Sequence, residues 1–141
     1  MTSQEKKYLI FKLQRVTYAL DLDHVSEVAD PPKFSPIPLA PACYAGALNF
    51  HGNIVAVINL AHFLGLSDEI PPGKIIVLHR SSLSLAFLVD TVVRIVPETE
   101  CTFTPLHDVD LAAATLSSSE GEATVLNLEA LTAKAERALQ K

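Results

Sequence analysis

Tryptophan is absent, methionine occurs once, and only two cysteines and five glycines are spread through 141 residues. Each scarcity closes a class of explanation. Cys43 and Cys101 cannot supply the dense disulfide framework that staples small secreted domains. They also stand too far apart for a Cys-x-x-Cys redox or metal unit, so two reduced thiols are expected. The glycines are isolated at positions 46, 52, 65, 73 and 121, which leaves no phosphate-cradling loop and no Gly-x-Ser-x-Gly elbow. Eleven basic residues face sixteen acidic ones, for a net charge of −5, and they form no cluster of the kind that grips a nucleic-acid backbone. No apolar run approaches the roughly 20 residues needed to cross a bilayer. Residues Met1 to Lys7 hold no apolar signal-peptide core, so the cytoplasm is the expected location.

Catalytic groups are as thin as the cysteines. The five histidines, His24, His51, His62, His79 and His107, do not show the short paired spacing of a zinc site. Serines fall at Ser81-Ser82 and Ser117-Ser118-Ser119, where a hairpin and a loop are expected and small polar residues form turns. Asp23 and Asp90 are expected to cap matching local turns rather than to work as an acid and base. No enzyme activity, cofactor or metal is expected.

What the chain does have is an apolar fraction of 49% and a pattern that reads twice. Tyr8 to Val28 overlays Ile75 to Ile95 at a constant offset of 67, matching Ile10 to Val77, Tyr18 to Leu85, Ala19 to Ala86, Asp23 to Asp90 and Val25 to Val92. The same offset takes Pro38 to Pro105, and an offset of 68 lays Val57-Ile-Asn-Leu60 over Val125-Leu-Asn-Leu128. Such self-similarity marks two related small units in tandem. Units of about 65 residues are marginal alone, so the halves should share an apolar seam. Lys6 to Leu13 is apolar on both alternating faces, as expected for a strand near that junction. Ser35 to Pro41 loses three backbone donors to proline and should be an edge or connector. Ala112 to Leu116 reads as an edge strand. Leu128, Leu131, Ala135 and Leu139 form a stripe at helical spacing that predicts a terminal helix. The expected fold is all-β: two five-stranded β-barrels in tandem, sharing a seam, with a C-terminal helix. One domain over 1–141 carries repeats at about 8–66 and 74–139, and the barrels can exchange strands.

These residues resemble the CheW-like family of bacterial chemotaxis coupling proteins over nearly the whole chain. The resemblance rests on Tyr8-Leu-Ile-Phe-Lys-Leu13, Tyr18 to Val28, Pro36-Ile-Pro38, Gly46-Ala-Leu-Asn-Phe-His-Gly52, Ile54 to Leu60, Leu64-Gly65 and Phe87-Leu-Val-Asp90, in that order. It implies a non-enzymatic adaptor joining the regulatory domain of a CheA-type histidine kinase to the cytoplasmic tip of methyl-accepting receptors, monomeric in isolation and held at membrane arrays only through its partners. The alternative is an orphan module that regulates a kinase without receptor coupling. By the same resemblance, a kinase-facing surface is expected around the strand holding Ile54, Ala56 and Ile58 and the turn before it, shaped by Gly52; Gly46 and Asn49 are expected among the partner-binding residues, with turn geometry the main role of Gly46 and Gly52. A receptor-facing groove is expected around Val25, Glu27, Val28 and His51, with Val89 and Val92 contributing. The family commonly has arginine where this chain has His51 and Ala61, which removes a guanidinium fork that neutral histidine cannot reproduce.

Overall fold

The computed structural model describes residues 5–66, 73–79, 84–107 and 109–139. The expected turn at Pro71-Pro72, the hairpin at Ser81-Ser82 and the start of a strand at Leu83 lie outside these residues, as does the side chain of Leu139.

Among the described residues, eleven strands and two α-helices follow one another as β1 (Lys7–Leu13), β2 (Val16–Asp21), β3 (Val25–Ala29), β4 (Tyr44–Phe50), β5 (Asn53–Asn59), α1 (Leu60–Phe63), β6 (Lys74–Leu78), β7 (Leu85–Val89), β8 (Thr91–Pro97), β9 (Thr102–Pro105), β10 (Ala112–Ser118), β11 (Gly121–Leu126) and α2 (Leu128–Leu139). They form two sheets. The first runs β8-β1-β2-β11-β10-β9 and the second β3-β6-β7-β5-β4. Neither sheet is built from one half of the sequence. β1 and β2 join four later strands, while β6 and β7 join three earlier ones.

The two sheets repeat each other pair by pair. Tyr8 faces Val96 as Ile75 faces Ala29, and Ile10 faces Arg94 as Val77 faces Glu27. Both ladders then slip by one residue at the same place. The one parallel contact of each sheet also recurs, with Ala19 beside Val125 and Ala86 beside Val57. Ser35 pairs with Ala47 as Thr104 pairs with Thr115. That register makes Pro36, two residues earlier than the overlay proposed, the counterpart of Pro105.

Strand number departs from five each, because the first sheet has six. Its sixth, β9, has shrunk in the second sheet to the single bridge at Ser35. The physical cause is local, since Pro36, Pro38 and Pro41 have no N–H to extend a ladder. Ala112 to Ser118 corrects a second expectation, being an interior strand between β9 and β11 rather than an edge. It takes in Ser117 and Ser118, which were expected in a loop.

Each sheet buries its own cluster, and a third cluster lies between them. Leu48, Val57, Ile75, Val77, Ala86 and Leu88 pack within the second sheet. Tyr8, Ile10, Ala19, Val96, Leu116 and Ala123 pack within the first. Leu9, Phe11 and Leu13, on the other face of β1, meet Ile76, Leu78, Phe87 and Val89 in the shared core. The two apolar faces of β1 thus serve two different clusters. Full burial of side chains this size is worth about 1.5–3 kcal/mol each, so losing the shared cluster would strip both sheets at once.

Helix α2 closes this core. Its Leu131 and Ala135 are buried in the shared cluster, the Tyr44 hydroxyl donates to the Ala135 carbonyl at 2.8 Å, and the Lys134 ammonium lies 5.4 Å from the Phe63 ring centre. Asn127 begins the helix by accepting the Ala130 N–H at 3.1 Å, the side-chain cap that satisfies one of the first-turn donors.

Candidate protein-interaction surface

The β4–β5 hairpin turns on His51 and Gly52, both in the left-handed region at φ 50° and 86°, between the paired Phe50 and Asn53. Positive φ at both central residues defines the turn whose twist suits a two-residue hairpin. Glycine adopts it freely, but histidine does so at a cost. The Asn49 side chain offsets part of that cost by accepting the Gly52 N–H at 2.9 Å. Asn49 is therefore a turn-fixing residue. Gly52 is what signals this turn in the residues, since it permits the positive φ a tight hairpin requires.

This hairpin projects toward β3, where His51 Nε2 lies 3.5 Å from Glu27 Oε1. Both side chains are largely solvent-exposed, so the pair is worth at most about 1 kcal/mol. Its value is positional. It brings together two expected site residues, on β3 and on the β4–β5 tip, that lie on elements from opposite edges of the second sheet. The Phe50 ring packs edge-on against His51 at 4.3 Å. Ile54, 69% exposed, and Val28 add apolar surface. The first sheet repeats the arrangement with charges of its own: Arg94, the counterpart of Glu27, binds Glu120 on the β10–β11 turn at 3.1 Å.

Other expected residues lie elsewhere. Ile58 and Val89 are completely buried in the shared core, so neither offers a side chain to a partner; Ile58 shares its face of β5 with Ile54, and the shared core covers only the Ile58 end. Val25 and Val92 are half-buried against the same core, as is Ala56. Gly46 is buried, and a Cβ there would stand 2.7 Å from the Phe34 Cβ and 2.8 Å from the Ser35 carbonyl. Its role is the close approach of β4 to the Ser35 bridge. Asp23 and Asp90 do not cap equivalent turns. Asp21, not Asp23, caps the turn at Leu22–His24 by accepting the Asp23 N–H at 3.0 Å. The Asp90 carboxylate instead reaches the β1–β2 hairpin.

No group of three His, Cys, Asp or Glu side chains gathers to hold a metal among the described residues. Burial pushes the Cys43 and Cys101 thiols up, away from the thiolate form that makes a nucleophile. No helix among the described residues is long and apolar enough to cross a membrane.

Comparisons with known proteins agree with this geometry. The chemotaxis protein CheW of Thermotoga maritima is 33% identical over 98 residues, covering 69% of this chain and 65% of that protein. The matched stretch is thus just under two thirds of that relative. The crystal structure of the scaffolding protein TtCheW from Thermoanaerobacter tengcongensis superposes with a TM-score of 0.78 at 22% identity, covering 88% of this chain and 90% of that one, a likeness of fold. The CheW-like domain profile spans residues 7–136, and the chain belongs to that family.

Proposed function

We propose that this protein is a non-enzymatic chemotaxis adaptor that couples the regulatory domain of a CheA-type histidine kinase to the cytoplasmic tip of methyl-accepting receptors, and that it sits at membrane arrays only through those partners. The observation that carries the reading is family membership over residues 7–136 joined to the exposed Glu27–His51 pair and the exposed apolar side chains of Val28 and Ile54. Stable protein interfaces center on apolar side chains within a polar rim. Coupling requires one body that contacts two partners at once. We assign the kinase contact to strand β5 around Ile54, with Gly52 shaping the turn before it, and the receptor contact to the β3 side, with Val25, Glu27, Val28, the facing His51 and the half-buried Val92. Each curled sheet is read as a small barrel, with Glu27–His51 and Arg94–Glu120 drawing the hairpin tips toward β3 and β8.

Pull-down with separately purified kinase regulatory domain and receptor cytoplasmic fragment tests the proposal. Binding to both, with Ile54→Glu and Glu27→Ala each weakening a different partner, is expected. Binding to neither overturns it. One observation favors the orphan-regulator alternative. Ala61 is buried and His51 faces Glu27, so neither of the two positions where the family commonly has arginine presents a guanidinium. Kinase binding without receptor binding would select that reading.

A further inference from the structure

The internal repeat provides its own control, because the five strands of the second sheet each have a counterpart in the first. In the second sheet Ile75, Leu88 and Val57 lie in its own cluster and Leu60 and Ala61 in the shared core, each at most 1% exposed. Their counterparts in the first sheet are Tyr8, Asp21, Val125, Leu128 and Glu129, by the matching registers of β1–β2 with β6–β7 and of β11 with β5. There the same place is an open groove of about 420 Å³. An aliphatic plug has been exchanged for a carboxylate set among apolar walls.

Asp21 is the group that makes this groove selective. Its side chain is only 18% exposed, and Oδ2 lies 3.2 Å from the Lys6 ammonium. Lys6 is held above the usual lysine range by the Asp21 hydrogen bond and charge. The chain itself therefore shows that a cation on an aliphatic stem is accepted at this carboxylate. Oδ1 takes the Asp23 N–H, yet a carboxylate has about four acceptor sites and retains capacity for another donor. Glu129 adds a second negative charge at the rim.

We propose that this groove is a socket for an arginine side chain presented by a protein partner, with Lys6 screening Asp21 until the partner displaces it. The walls Tyr8, Leu20, Val125 and Leu128 suit the three-carbon stem. The guanidinium is more weakly hydrated than an ammonium and pairs with carboxylates through a rigid fork, so it gives up less on entering a half-dry site. The socket is separate from the Glu27–His51 patch and does not rest on the coupling reading.

Titration of the full-length protein with N-acetyl-arginine methylamide, followed by NMR, is the test. Shifts should concentrate at Tyr8, Asp21, Val125 and Leu128. The citrulline counterpart, a neutral isostere, should bind about tenfold more weakly for want of a charge-assisted bond, and the norleucine counterpart should bind no better. Lys6→Ala should tighten arginine binding by about two- to fivefold by removing the competing exposed pair, and Asp21→Asn should abolish it. Because Asp21 also caps a turn, Lys6→Ala carries the test if Asp21→Asn misfolds. Shifts that are absent or lie elsewhere overturn the proposal, as does equal binding of the three probes or an unchanged affinity in Lys6→Ala.

Discussion

The Asp90 carboxylate accepts the backbone N–H of Gln14 at 2.6 Å across 76 residues of sequence. Gln14 sits in the left-handed region at φ 59°, a conformation that costs a non-glycine residue about 1–2 kcal/mol. Asp90 thus holds the β1–β2 turn from outside, and its own N–H returns a bond to the Lys12 carbonyl at 3.1 Å. Asp90→Ala should lower stability by about 1.5–3 kcal/mol, the range for a hydrogen bond to a charged group, measured by urea unfolding. Gln14→Gly in the same background should recover part of the loss by relieving the strain. No recovery would mean that Asp90 acts elsewhere.

Tyr44 joins β4 to helix α2 through the Ala135 carbonyl. Burial pushes its phenol up from 10.0 to about 12. Between these values the unfolded chain loses the proton first, so stability is present below about pH 10 and declines as pH rises toward 12. Tyr44→Phe should cost about 0.5–1.5 kcal/mol at neutral pH and flatten that alkaline decline. Melting curves at several alkaline pH values provide the check; Tyr8 and Tyr18, also raised by burial, should keep part of the slope in the variant.

Gly46 has no room for a side chain, with Phe34 and Ser35 against it. Gly46→Ala should destabilize the chain by about 2–4 kcal/mol through overpacking and positive-φ strain, as read from the denaturant midpoint. Partner binding should fall only in proportion to the unfolded fraction. A well-folded Gly46→Ala protein that binds poorly would instead make position 46 a contact.

Ile54 and Ile58 lie four residues apart on β5 with opposite fates, one 69% and the other 0% exposed. Ile54→Glu should change stability by no more than about 0.5 kcal/mol and weaken kinase-domain binding by about tenfold or more, as loss of a central apolar anchor does. Ile58→Ala should cost about 2–5 kcal/mol by leaving a cavity. Thermal melts and binding isotherms on both variants separate the two roles.

The fold was largely legible in the residues because burial patterns are local. The two apolar faces of β1, the Asn-capped helix beginning at Leu128 and the proline-blocked segment after Ser35 each follow from side-chain period or a missing donor. The surface was less legible. Ile58 and Val89 lie in continuous apolar runs that do not distinguish an exposed end from a buried one, and burial in the shared core takes their side chains away from the surface. Gly52 announced the hairpin turn, but not that the Asn49 side chain fixes it by accepting the Gly52 N–H. The roles of Asp21, Asp23 and Asp90 differ although the repeat aligns Asp23 with Asp90, because a carboxylate bonds to whichever N–H packing brings within reach.

Composition and period by themselves determined that this chain forms short strands around apolar clusters, ends in an amphipathic helix and carries two copies of one pattern. They could do so because alternation and helical spacing are properties of neighboring residues. Tertiary structure decided which strands pair, placing β1 and β2 with late strands and β6 and β7 with early ones. It also set His51 beside Glu27 and left open at Asp21 the end of the interior that Leu88 closes in the other copy. Those outcomes depend on contacts between residues far apart in sequence, whose free energy is gained only when two surfaces exclude water from each other.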